Sequence, residues 1–162
     1  LWHELGILAN YLEDIPSLFD DCELWIRKYP FAWIKSQNHA IAQIRKKVKN
    51  IKTAEASLSK QFEWSDVVIF SSTSAGIEAM LSGRYTINVE LHDLIKIDPL
   101  ENKGDFSKVI HCSSPEELKN ALKVVKNMNQ KEFLDSIKNQ IDFAKQIYSP
   151  VNQNIVKEII TC

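Results

Sequence analysis

The stretch Ser65-Asp-Val-Val-Ile-Phe-Ser-Ser-Thr-Ser-Ala-Gly-Ile-Glu-Ala-Met-Leu-Ser-Gly83 decides how this chain is read. Asp66 to Phe70 is a short apolar run, the pattern of a strand buried on both faces. Four hydroxyl residues follow, Ser71, Ser72, Thr73 and Ser74, and then Gly76. Ile77 to Leu81 reads as a helix, which Gly83 ends in the position of a C-cap glycine. A strand that opens through small hydroxyl residues into a helix offers free backbone N–H groups and a positive dipole end. That favours an anion, most often a phosphate. The hydroxyls add donors, and Gly76 is expected to let the backbone approach the ligand closely. An N-cap would need only one hydroxyl; the chain supplies four.

Working outward, Leu1, Leu5, Leu8 and Leu12 have helical spacing, and Pro16 starts a short turn through Phe19. Cys22 to Arg27, Val48 to Thr53, Tyr85 to Val89 and Lys108 to Cys112 read as further strands. Helices are expected over Ala40 to Lys47 and Glu55 to Phe62, and His92 to Phe106 reads as a long loop. Ser114-Pro115-Glu116-Glu117 opens a helix with an N-cap serine, a proline at the first position and first-turn carboxylates. Gln130 to Ile147 forms another, with Phe133, Ile137, Ile141 and Ala144 on one stripe, and Ser149-Pro150 marks a third start. Strands separated by helices predict an α/β fold: one parallel sheet of about five strands flanked by helices, followed by a helical C-terminal segment. Ligands of such sheets bind at the carboxyl ends of the strands. Lys28 to Pro30, Thr53-Ala54, Ser71 to Ser74 and Glu90 to Asp93 all follow strands and are expected to share that edge.

Composition narrows the function classes. The 162 residues suit a single domain, 1–162. A start at Leu1, without methionine, suggests a piece of a larger two-domain protein. The net charge of −1 points to neither nucleic acid nor an anionic membrane. Cys22, Cys112 and Cys162 form no CxxC pair, which suggests reduced thiols, a cytoplasmic setting and no zinc site. No apolar run approaches the ~20 residues of a membrane span.

Several residues can carry chemistry. Glu78 lies one turn after Ser74, where it either accepts hydrogen bonds from a ribose diol or complements the helix dipole. Arg27, Lys28 and Tyr29 offer donors to a phosphate or form a solvated strand end. Arg45-Lys46-Lys47, with Lys49 and Lys52, lacks the interleaved aromatic residues of a nucleic-acid patch. His92 stands where a sugar contact is possible, and His111 reads as a core or edge histidine. His3 and His39 have no companions, so no metal is expected, nor any resident cofactor. A rival reading takes Ser72-Thr73-Ser74-Ala75-Gly76 as a variant nucleophile elbow of a serine hydrolase. In it Ser74 is the nucleophile, with Asp98 or Asp105 and then His111 in hydrolase order.

With Arg27-Lys28-Tyr29-Pro30 and the Ser65–Gly83 block both in place, the chain resembles the C-terminal, donor-binding half of GT-B glycosyltransferases. The likeness is greatest to bacterial enzymes of surface-polysaccharide synthesis, of the sialyltransferase-like and Kdo-transferase-like groups. It spans roughly Cys22 to Leu122 and implies a Rossmann-like domain binding a UDP-, CMP- or CDP-linked sugar donor. By that resemblance Ser71 to Ser74 would hold the nucleotide phosphates and Glu78 the ribose. Tyr29-Pro30 would stand in place of a phosphate-binding His-Pro pair, although tyrosine carries no positive charge. The glycan acceptor and the general base would belong to a preceding N-terminal domain. The resemblance also allows a non-catalytic nucleotide-binding or assembly domain of the same fold.

Overall fold

The computed structural model describes residues 8, 11–12, 15–28, 34–71, 73–90 and 108–148. After a 3-10 turn at Pro16–Phe19, strands and helices alternate: β1 (Leu24–Arg27), α1 (Ile34–Lys47), β2 (Ile51–Ala54), α2 (Leu58–Trp64), β3 (Val67–Phe70), α3 (Ala75–Leu81) and β4 (Tyr85–Val89). Then come β5 (Ile110–Cys112), α4 (Pro115–Asn127) and α5 (Gln130–Ile147). The fold is α/β, and every strand pair is parallel. One expectation needs correction. Among the described residues the five strands form not one hydrogen-bonded sheet but two ladders, β1–β2 and β3–β4–β5.

Local chemistry explains most boundaries. Ser114 accepts from the Glu117 N–H at 3.2 Å and starts α4. At α5 the Asn129 side chain accepts from the Glu132 N–H, and the Glu132 carboxylate accepts from the Asn129 N–H, both at 3.0 Å. Gly83, at φ 74°, ends α3. There the Arg84 N–H reaches the Ala79 carbonyl and the Gly83 N–H reaches that of Met80, the paired bonds of a Schellman cap. Helix α1 begins at Ile34 rather than Ala40, and the apolar period misses its first turns because Gln37 occupies a buried position there. Strand β2 begins at Ile51 rather than Val48, whose N–H still bonds the Ile44 carbonyl at 2.8 Å to close α1.

Alternation along the strands sorts the side chains into two faces. One face carries Leu24, Ile26, Ile51, Val67, Ile69, Tyr85, Ile87, Val89, Ile110 and Cys112. These pack against α1 (Ala40, Ile41, Ile44), α4 (Leu118, Ala121) and the N-terminal residues Tyr11, Leu12, Ile15 and Phe19. We call this face A. On face B, Phe70 packs with Ile77 and Met80 of α3 and Phe143 and Ala144 of α5. Trp25 also points to face B, where its ring lies 4.5 Å from that of Trp64 at the end of α2.

These assignments determine the strand order. Parallel crossovers are right-handed in nearly all proteins. The crossover β1–α1–β2 runs over face A, and β3–α3–β4 runs over face B, so the two step in opposite directions. Helix α2, on face B, carries β2 to β3 in the same sense as α3 carries β3 to β4. The layer therefore reads β2–β1, then β3–β4–β5. The chain reverses direction between β1 and β3, as in the doubly wound, Rossmann-like arrangement.

Candidate functional site

The point of reversal is where open α/β sheets bind ligands, at the carboxyl ends of the strands. The chain leaves β1 there through Lys28 and leaves β3 there through Ser71 and the hydroxyl turn. By that strand order both segments singled out in the sequence leave the layer at its carboxyl edge. Lys28 is half-buried, and no hydrogen bond or ion pair among the described residues engages its ammonium. Arg27 is committed elsewhere: its Nη1 donates to the Ala56 carbonyl at 3.0 Å and holds the turn after β2. Tyr29, Pro30 and Ser72 lie outside the described residues, as do His92, Asp98 and Asp105.

The turn into α3 is wound tightly. The Gly76 N–H reaches the Thr73 carbonyl at 3.3 Å, and those of Ile77 and Glu78 reach Ser74 at 3.0 and 3.1 Å. Thr73 Oγ1 accepts from the Ala75 N–H at 3.3 Å. The helix thus consumes its own donors from Ala75 onward. Donors for a ligand must come from the residues before Ala75. Ser74, exposed at the first position before the helix, makes no side-chain cap. Glu78 is exposed on the first turn, with no side-chain partner among the described residues, and keeps both roles open.

Gly76 packs against the strand before it. It is buried inside α3, and a Cβ built on it would overlap the Phe70 ring. The absence of a Cβ lets α3 lie close on β3.

One polar strand residue near the same edge, Asn88, escaped the sequence reading. Asn88 is 2 % exposed on β4, in register with His111 of β5. Its Nδ2 lies 3.2 Å from His111 Nδ1, and the Glu90 carboxylate lies 3.8 Å from the same nitrogen. The available signal was an amide inside a five-residue apolar strand. Such a residue needs a polar partner.

Nucleophile chemistry has little footing here. Ser74 has φ −62° and ψ −17°, ordinary right-handed helix rather than the strained turn of a nucleophile elbow. Burial pushes the Cys112 thiol up to about 11, with a smaller push from Glu117, so it remains protonated at neutral pH. Among the described residues no cluster of His, Cys, Asp and Glu is arranged to hold a metal ion. No helix among them is long and apolar enough to cross a membrane. No protein-family model matches the chain, and no curated protein matches it significantly.

Proposed function

We propose that this chain is the nucleotide-sugar donor-binding domain of a glycosyltransferase acting in surface polysaccharide or glycan synthesis, in the cytoplasm. What supports the reading is that the hydroxyl turn and Lys28 each follow a parallel strand at its carboxyl end, on the two strands between which right-handed crossovers reverse the chain. In this reading the turn Ser71–Ser74 and the Lys28 ammonium hold the donor's phosphates, and Glu78 grips the ribose diol. Transfer displaces the nucleotide from the sugar's anomeric carbon, so negative charge grows on the departing phosphate. Fixed donors aimed at that charge each lower the barrier by roughly 3 kcal/mol. The acceptor glycan, and the base that takes its proton, belong to a preceding domain.

Tyr29 favours a second reading, a domain that binds a nucleotide without turning it over. Tyrosine offers a hydroxyl but not the positive charge of an imidazolium. Calorimetry of the parent protein with UDP, CMP and CDP tests both readings at once, and binding of one of them is expected. Failure to bind any nucleotide refutes both. Donor hydrolysis or transfer by the same preparation then separates the enzyme from the binding domain.

A further inference from the structure

Three polar side chains meet at the carboxyl end of β4, one strand away from the hydroxyl turn. Asn88 stands in register with Phe70 of β3 on one side and with His111 of β5 on the other. Alternation puts Asn88, Glu90 and His111 on the same face of the layer, face B. The Glu90 N–H continues the ladder by donating to the Cys112 carbonyl at 2.8 Å, so its backbone is fixed and its side chain alone can swing. Asn88 is buried, and the side chains of His111 and Glu90 are 23 % and 40 % exposed, so the group runs from the interior out to solvent.

The imidazole Nδ1 has two neighbours that require opposite protonation states. Asn88 Nδ2 lies 3.2 Å away and, as an amide nitrogen, can only donate, so that bond needs a bare Nδ1 and a neutral ring. The Glu90 carboxylate lies 3.8 Å from the same atom and accepts only, so a hydrogen bond to it needs a proton on Nδ1. At that distance the second bond is not made, and the structure holds the first arrangement with the second beside it. A protonated ring donates from both nitrogens, which turns the Asn88 contact into two donors face to face. The carboxylate has to approach by about 1 Å to take over Nδ1 in a charge-assisted bond. Strand β5 packs against β4 and α4. Helix α4 covers face A, where Glu117 is held by the Ser113 N–H and hydroxyl and Glu116 pairs with Lys119. Over face B, Glu78 of α3 and Asp142 and Lys145 of α5 are exposed. Among the described residues the Glu90 carboxylate is the charged group that stands against the ring.

We propose that Asn88, His111 and Glu90 form a proton-operated latch that sets the charge at the carboxyl edge of the layer beside the hydroxyl turn. With His111 neutral, Asn88 holds the ring and the Glu90 carboxylate keeps its full negative charge at that edge, where it opposes an anion. With His111 protonated by solvent, Glu90 closes on the ring and its charge is cancelled, so an anion at the hydroxyl turn is accepted more readily. The effect on a ligand rests on the donor-binding reading above; the exchange of partners at Nδ1 does not.

Heteronuclear NMR of the ligand-free protein, followed from about pH 5 to 8, tests the latch. The neutral ring should carry its proton on Nε2, and the Asn88 side-chain amide and Glu90 carboxyl signals should move together with those of the His111 ring. A neutral ring protonated on Nδ1 overturns the proposal, as does an Asn88 amide signal that ignores the titration of His111. Calorimetry with UDP-glucose, CDP-glucose and CMP-sialic acid, whose phosphates do not titrate in that range, tests the consequence. The donor that binds should do so roughly 3–30-fold more tightly with His111 protonated than neutral. Glu90→Gln, which removes the charge, should bring a similar gain at about pH 8, where the ring is neutral. Unchanged affinity of that variant overturns the role given to Glu90. Loss of binding by all three donors at every pH refutes the donor-binding reading instead, and the ligand-free titration still decides the latch.

Discussion

Gln140→Leu tests how the central strand is held. The C-terminal ladder partner of β4 begins too late to pair Thr86: the first matched positions are Ile87 and Ile110. Gln140, on α5 and 54 residues away, supplies the missing bonds instead. Its Oε1 accepts from the Thr86 N–H at 2.8 Å and from the Thr86 hydroxyl at 3.1 Å, and its Nε2 donates to the Thr86 carbonyl at 2.9 Å. Thr86 is wholly buried and Gln140 is 2 % exposed, so water cannot replace the amide. Leucine leaves two buried backbone groups unpaired, each costing about 1–3 kcal/mol. It recovers about 1–2 kcal/mol by burying apolar surface. A net loss of roughly 2–3 kcal/mol is expected from urea unfolding at neutral pH, with an unchanged m-value. Thr86→Val, which removes only the hydroxyl bond, should cost about 1 kcal/mol, and the double variant less than the sum. A loss below ~0.5 kcal/mol for Gln140→Leu, small beside the cost of even one unpaired buried group, refutes the reasoning.

Three further outcomes follow from the same geometry. Gly76→Ala should destabilise the domain by about 1–2 kcal/mol, because overpacking against Phe70 outweighs the gain in helix propensity; pairing it with Phe70→Leu should restore part of the loss, and no restoration would rule out the packing role. Glu78→Gln should weaken nucleotide binding by roughly 1.5–3 kcal/mol with stability nearly unchanged if the carboxylate grips a ribose; a stability loss of roughly 0.3–1 kcal/mol at constant affinity would assign it to the helix dipole. The Cys112 thiol, near 9.0 when exposed and about 11 in the fold, is held protonated by burial. Its contribution to stability is therefore complete below pH 9 and is lost as pH rises towards 11, and burial of Tyr85 acts in the same direction. Cys112→Val should flatten that alkaline decline, as read by thermal unfolding at a series of pH values; an unchanged slope would exclude the thiol.

What the sequence determined by itself is local. The strand at Tyr85–Val89 and the helix at Gln130–Ile147 lie where the apolar pattern put them. The start of α4 was legible because its N-cap serine, proline and first-turn carboxylates stand together in the sequence. Gly83 was legible because a left-handed helix end has a residue-type signature. The α/β class followed from the alternation of these elements. Tertiary structure decided everything that joins distant residues. The division into two ladders and the reversal between β1 and β3 depend on which face each helix covers. That leaves no trace in a local window. Gln140 sits on an apolar stripe and reads as an interruption until Thr86 is placed beside it. The buried Asn88 is explained by His111 on the next strand. Gly76 was visible from the start, but its reason was not. A glycine after a strand suits a ligand and a close-packed aromatic ring equally well, and only the tertiary structure shows the Phe70 ring against it.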